Sequence, residues 1–205
     1  MTEEDVAAFG RCIAAGGVAL FPADTVYGLA AEPDSEEGVR RLYAIKGRPA
    51  DRPAAVMFFD LGLALAALEE LGPRTRDAVE RLLPGALTLL LGNPARRYPL
   101  ACGSEPERLG LRVPELTGAL APLAATRLPV LQSSANRTGG RDARRLADVH
   151  EGIRREVDLR LDGGNLPGTA STVVDLTRYE TYAEYRIVRE GAVSAAAVDA
   201  RLLSG

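Results

Sequence analysis

Short apolar runs recur along this chain, separated by polar or glycine-rich stretches and by segments whose apolar residues fall at helical spacing. Thr2 and Asp5 form a capping pair that opens a helix through Ala14, and Gly16-Gly17 closes it. Val18 to Phe21 reads as a short buried strand, stopped by Pro22. Ser35 caps a second helix that places Val39, Leu42, Tyr43 and Ile45 on one face. Ala54 to Phe59 is strand-like, and helical stretches follow at Leu61 to Glu70 and Pro73 to Leu83, the latter with proline at a tolerated first position. After the Pro84-Gly85 turn, the pattern predicts strands at Ala86 to Leu91, Leu109 to Val113, Pro129 to Gln132, Val157 to Leu161, Ser171 to Leu176 and Tyr185 to Val188. Helices are predicted at Leu116 to Ala125, Asp142 to Glu151 and Ser194 to Leu203. Strands interleaved with helices predict an α/β fold around a central sheet. With no internal repeat or linker, residues 1–205 read as a single domain.

Composition narrows the function classes. Apolar residues make up 46% of the chain, enough for a sizeable core, and with few aromatics that core must be mainly Leu, Val and Ala. The net charge of -3 argues against a protein that coats nucleic acid nonspecifically, although a local basic groove is compatible with it. Cys12 and Cys102 lie far apart, and His150 is the only histidine, so neither a disulfide framework nor a Cys/His zinc site is expected. No stretch reads as a signal peptide or a membrane span, which predicts a cytoplasmic protein.

Chemistry concentrates in four loops next to predicted strands, where α/β folds commonly present ligand-binding groups. The first, FPADTVYGLAAEPDS, offers Asp24 and Thr25 between Pro22 and Gly28. In the second, KGRPADRP, Lys46 is the only lysine of the chain, in the company of Arg48 and Arg52. An ammonium suits phosphate as a point charge, whereas a guanidinium holds it by two hydrogen bonds. The third, LQSSANRTGGRDA, puts Ser133, Ser134 and Asn136 before paired glycines, apt for cradling a nucleotide; it is no Walker A loop, since no lysine follows the glycines. The fourth, DGGNLPGTASTVVDL, adds glycines before Ser171 and Thr172. Arg112 and Arg189 sit among apolar strand residues and need an anionic partner, from the protein or from a ligand. No GxSxG is present, and His150, in a helix, has no cysteine or serine mate. What these groups offer is positioning and electrostatic stabilisation of anions.

In order along the chain, FPADTVYGLAAEPDS, KGRPADRP, LPGALTLLL, LGLRVPE, SSANRTGG, LDGG, STVVDL and VREGAV resemble the YrdC-like family of threonylcarbamoyl-AMP synthases. The Lys-x-Arg and Ser-x-Asn pairs of that family are present as Lys46/Arg48 and Ser134/Asn136. The resemblance implies a YrdC-like fold: a large twisted mixed β-sheet flanked by helices, with a concave basic cavity. It also implies an enzyme, a nucleotidyltransferase that forms threonylcarbamoyl-AMP and pyrophosphate from L-threonine, bicarbonate and ATP. A separate transferase complex then modifies adenosine 37 of tRNA. Carried over by position, Lys46, Arg48, Arg52, Ser134, Asn136 and Arg189 hold ATP, with Lys46 and Arg48 as the catalytic pair. Thr25, Arg112 and Ser171 hold threonine. Mg²⁺ is expected on the triphosphate, held by ATP oxygens and water without assigned protein ligands. The alternative is a noncatalytic paralogue that binds tRNA or double-stranded RNA on the same concave surface. Departures from the family pattern cluster on the threonine side: Ala23 in the Pro-Thr-Asp/Glu-Thr opening, Met57 where some members have histidine, and Ala170 in place of a common glutamate.

Overall fold

The computed structural model describes residues 1–49 and 51–203. In chain order the elements are α1 (Glu3–Ala14), β1 (Ala19–Pro22), β2 (Tyr27–Ala31), α2 (Glu36–Lys46), β3 (Ala55–Met57), α3 (Leu61–Ala67), α4 (Pro73–Leu82), β4 (Leu87–Gly92), α5 (Pro99–Cys102), β5 (Arg108–Arg112), β6 (Val130–Ser134), α6 (Glu151–Glu156), β7 (Leu159–Arg160), β8 (Thr172–Asp175), α7 (Tyr179–Tyr182), β9 (Arg186–Arg189) and α8 (Ala195–Leu203). All nine strands join one mixed sheet in the order β7-β1-β2-β6-β3-β5-β4-β8-β9. The parallel pairs are β1 with β7, β3 with β5 and β4 with β8.

Local chemistry sets the helix ends. Thr2 and Asp5 make the expected reciprocal cap on α1: the Asp5 N–H donates to Thr2 Oγ1 at 3.2 Å, and the Thr2 N–H donates to Asp5 Oδ2 at 2.7 Å. The Ser35 hydroxyl accepts from the Gly38 N–H at 3.1 Å to start α2, which stops at Gly47 in the left-handed region at φ 63°.

The sheet has unequal faces, and that asymmetry makes the site. Leu20, Leu29, Val56, Leu89, Leu111 and Val174 point into the larger core, beneath α2, α4 and α8. Their sequence neighbours Phe21, Ala30 and Met57 point the other way, into a smaller core with Phe9 and Ile13 of α1 and Leu123. That second cover stops partway across the sheet. On β5, β4 and β8 the alternate residues are Arg108, Gly110, Arg112, Thr88, Leu90 and Val173, and they line an open cavity. Period-2 alternation thus builds a core on one side and a lined trough on the other.

Several elements depart from the expectations. Residues 27–31, expected within a loop, form the fully buried β2 between β1 and β6. A Cβ on Gly28 would lie 2.7 Å from Gln132 Nε2, so glycine there serves close strand approach rather than a turn. Only Leu159–Arg160 of the predicted 157–161 strand pairs, and β6 runs on to Ser134. The predicted helix 116–125 is a 3₁₀ segment, Gly118–Ala125, with Pro122 inside it. The predicted helix 142–151 is irregular chain with one 3₁₀ turn at Leu146–Asp148. His150 caps α6, its Nδ1 accepting the Gly152 N–H at 3.0 Å. Among the described residues, no helix is long and apolar enough to cross a membrane.

Candidate active site

The cavity over β8-β4-β5-β3-β6 has a volume of about 500 Å³, and its wall includes Arg48, Arg108, Arg112 and Arg189 against one carboxylate, Asp142. Strand register gives it two ends. Arg112 pairs with Met57, Thr88 with Val173 and Val173 with Arg189, so Arg112, Thr88 and Arg189 share one end with Ser171. Gly110 pairs with Ala55, and Ala55 with Gln132, across the middle. Two residues further along each strand, Arg108, Pro53 and Ser134 form the other end, where Arg48, Asn136 and the Gly139-Gly140 pair close the wall.

At the first end Arg112 is only 4% exposed. One of its terminal nitrogens donates to Asp24 Oδ1 at 2.6 Å and Thr25 Oγ1 at 3.3 Å, and the other to Gln132 Oε1 at 3.4 Å. Its Nε is buried with no partner. Burial pulls the guanidinium below the usual arginine range and pushes the Asp24 carboxyl up, while their mutual attraction opposes both shifts. Desolvation thus dominates on both partners, as expected for an ion pair held out of water. Beside it, the Ser171 and Thr88 hydroxyls lie 2.8 Å apart, and Arg189 donates to the Ser171 carbonyl at 2.8 Å. Thr25, Arg112, Ser171 and Arg189 are therefore brought together, with Arg189 at the same end as Arg112 rather than beside Arg48.

At the other end Arg48 leans on the Tyr43 ring, 5.9 Å from its centroid, and donates to the Pro53 carbonyl. Its Nε, too, is buried and unpartnered. Lys46 lies beneath this wall rather than on it. Its Nζ donates to Ser134 O at 2.5 Å, Asn136 Oδ1 at 2.7 Å, Asn136 O at 3.0 Å and Ser134 Oγ at 3.2 Å. Ser134 Oγ in turn donates to Asn136 Oδ1 at 2.7 Å, and Asn136 Nδ2 to Gly140 O at 2.5 Å. Burial, aided by the charge of Arg48 and opposed by Asp142, brings the Lys46 ammonium down to about 8. Lys46 thus pins the loop after β6 to the end of α2. Arg52 is exposed and its side chain is not on the cavity wall; its carbonyl accepts from Tyr43 Oη at 3.1 Å and its N–H donates to the Pro49 carbonyl at 3.2 Å.

Arg108 and Thr88 also line the cavity and were not singled out from the sequence. A period-2 signal was available for Arg108, four residues before Arg112 and hence on the same strand face.

The family model Sua5_yciO_yrdC, described as "Telomere recombination", matches residues 11–191. The chain belongs to this family. The Sua5/YciO/YrdC chain described here is 30% identical over 165 residues to the threonylcarbamoyl-AMP synthase of Pyrococcus abyssi, covering 80% of this chain and 48% of that protein. To the Bacillus subtilis threonylcarbamoyl-AMP synthase it is 32% identical over 162 residues, covering 77% of this chain and 46% of that one. The chain therefore spans about half the length of these two relatives. The crystal structure of P. abyssi Sua5 complexed with L-threonine superposes with a TM-score of 0.84 at 25% identity, over 98% of this chain and 58% of that one. The E. coli YciO structure shares the fold, with a TM-score of 0.79 at 23% identity over 96% of this chain and 94% of that one. The large twisted mixed sheet flanked by helices is thus the family architecture.

Proposed function

We propose that this chain is a threonylcarbamoyl-AMP synthase, a nucleotidyltransferase that uses L-threonine, bicarbonate and ATP. The two-ended arginine cavity carries the reading: a buried, incompletely satisfied Arg112 at one end, and Arg48 with the Ser134/Asn136 loop at the other. The names of the P. abyssi and B. subtilis relatives, and the threonine-bound P. abyssi structure, support it.

In this reading Arg112 pairs with the threonine carboxylate, and Thr25 and Ser171 offer their hydroxyls to the rest of the amino acid. The threonine amine attacks bicarbonate carbon, and loss of water leaves an N-carboxylate. One carbamate oxygen then attacks the α-phosphorus of ATP, and the bond to pyrophosphate breaks. Carbamate and triphosphate are both anions, so the surrounding arginines lower the repulsion between them. Arg48 and the hydroxyl and amide groups of Ser134 and Asn136 hold the phosphates. Lys46 acts through them, fixing their orientation from below. Arg189, at the threonine end beside Ser171, faces the carbamate and the phosphate it attacks. Arg52, exposed on the same loop as Arg48, is assigned to the nucleotide with it.

Mg²⁺ would ride on the triphosphate and neutralise part of its charge, with ATP oxygens and water as its main ligands. Asp142, the carboxylate on the wall, is the protein group available to it. The product suits a separate transferase that passes the threonylcarbamoyl group to tRNA, a role that fits a cytoplasmic enzyme. The test is pyrophosphate release from ATP by purified protein, dependent on both threonine and bicarbonate. Absence of turnover alongside an active control synthase would overturn the reading; turnover with another amino acid would redirect its substrate.

A further inference from the structure

The loop after α2 and the loop after β6 are tied to each other in both directions. Lys46 makes one tie, from the end of α2 to Ser134 and Asn136. The return tie is Thr138, an exposed residue off the cavity wall for which the reaction above assigns no task. Its N–H donates to the Lys46 carbonyl at 3.2 Å, and its Oγ1 donates to the Gly47 carbonyl at 3.0 Å. A helix ends on carbonyls that no helical N–H reaches, and Thr138 takes two of those that α2 leaves.

The Gly47 carbonyl shares its peptide with the N–H of Arg48. Gly47 lies at φ 63° and ψ 38°, where glycine is unstrained, and a Cβ on it would meet nothing within 4 Å. Neither a side chain nor packing therefore fixes the tilt of that peptide. Two hydrogen bonds do: the Arg48 N–H donates to the Tyr43 carbonyl at 2.9 Å, and the Gly47 carbonyl accepts from Thr138. From this plane the Arg48 side chain leaves toward the Tyr43 ring and the Pro53 carbonyl. Thr138 stands on a braced turn, since the Gly140 N–H donates to the Arg137 carbonyl at 2.7 Å and Asn136 Nδ2 donates to the Gly140 carbonyl at 2.5 Å. The hydroxyl thus joins a held turn to one that is otherwise free to tilt.

We propose that Thr138 is a positioning residue for Arg48: its hydroxyl sets the peptide between Gly47 and Arg48, and so aims the guanidinium at the nucleotide end. This rests on the reading of the cavity as the site of ATP and threonine, and it deepens that reading with a residue that touches neither substrate. The contribution of Thr138 reaches ATP through Arg48 and does not reach threonine, whose carboxylate is placed at Arg112.

Calorimetric titration of the full chain with Mg²⁺ and ATP, and separately with threonine, tests this in Thr138→Val and Thr138→Ser. Thr138→Val keeps the branched shape and removes the hydroxyl, which weakens ATP binding by about three- to tenfold and leaves threonine binding unchanged. Its thermal midpoint stays near wild type, because water takes the place of an exposed hydroxyl. Thr138→Ser restores the affinity for ATP. In an Arg48→Ala background Thr138→Val costs nothing further, since the group it aims is gone. Wild-type ATP affinity in Thr138→Val overturns the assignment. So does a loss that Thr138→Ser fails to restore, or one that persists in full in the Arg48→Ala background, because the residue would then act by packing or on the β6 loop alone. A wild-type protein that binds no ATP overturns the cavity reading itself and the aiming of Arg48 with it, a result distinct from the others.

Discussion

Replacing Lys46 is expected to damage the fold and the nucleotide end together, and the size of the damage follows from its four oxygen contacts. The ammonium is 4% exposed and serves the carbonyls of Ser134 and Asn136, the Ser134 hydroxyl and Asn136 Oδ1. Lys46→Ala leaves Asn136 Oδ1 with the Ser134 hydroxyl but strips both carbonyls of their charged donor. Each orphaned buried acceptor costs about 1–3 kcal/mol, and the relieved desolvation of the ammonium offsets part of that. A net loss of about 3 kcal/mol follows, which for a chain of this size lowers the melting temperature by about 6–12 °C. Released from below, the Ser134/Asn136 loop moves, and ATP affinity should fall by about tenfold or more. Lys46→Arg separates charge from shape. Four oxygens converge on one nitrogen, a geometry for a compact ammonium and not for a planar fork, so overpacking costs about 1–3 kcal/mol although the charge is kept. Urea denaturation and ATP titration of both variants check this. Wild-type midpoint and wild-type ATP affinity in Lys46→Arg would refute the shape argument, and with it the reason a chain otherwise built on arginine has a lysine here.

Three further outcomes are expected. Arg112→Lys removes the planar fork at the threonine end, so the KM for threonine rises by about tenfold or more while ATP binding stays near wild type, read by pyrophosphate release at varied substrate. Asp24→Asn leaves the Arg112 charge buried without its carboxylate and lowers unliganded stability by about 3 kcal/mol. Threonine restores the loss by supplying a carboxylate, so its thermal shift is larger in the variant than in wild type. Finally, ATP affinity and stability should move in opposite directions with pH. As pH rises through about 8 the native Lys46 ammonium loses its proton and nucleotide affinity falls. From there to the unfolded value of 10.5 the unfolded chain binds the proton the native state has released, so this group's contribution to stability rises with pH. Lys46→Ala should flatten both dependences, measured by calorimetry and by denaturation at stepped pH.

The sequence carried the architecture where period and punctuation were strong. The capped α1 and α2, the apolar runs of β4 and β5, and the Pro-first α4 all formed as their residues predicted. It failed where tertiary context decides. β2 is written Tyr-Gly-Leu-Ala-Ala, a weak strand former that becomes buried only because β1 and β6 flank it. The chain between Ala143 and His150 has helix-forming residues yet stays irregular, and its backbone serves its neighbours: the Ala143 carbonyl accepts the Tyr27 N–H, and the Arg144 carbonyl accepts that of Leu166.

Similar reasoning applies to the site. Residue type identified Arg112 as a buried cation in need of an anion, and the structure supplies one from the protein in Asp24. Its Nε stays buried and unpaired, a detail that no sequence pattern carries. Lys46 was legible as singular, but its surroundings were not: the end of α2 turns the ammonium under the β6 loop, where it meets Ser134 and Asn136. No one-dimensional pattern gives the oxygens that surround a buried cation, and for Lys46 four protein oxygens converge on the ammonium from two residues 88 and 90 positions away.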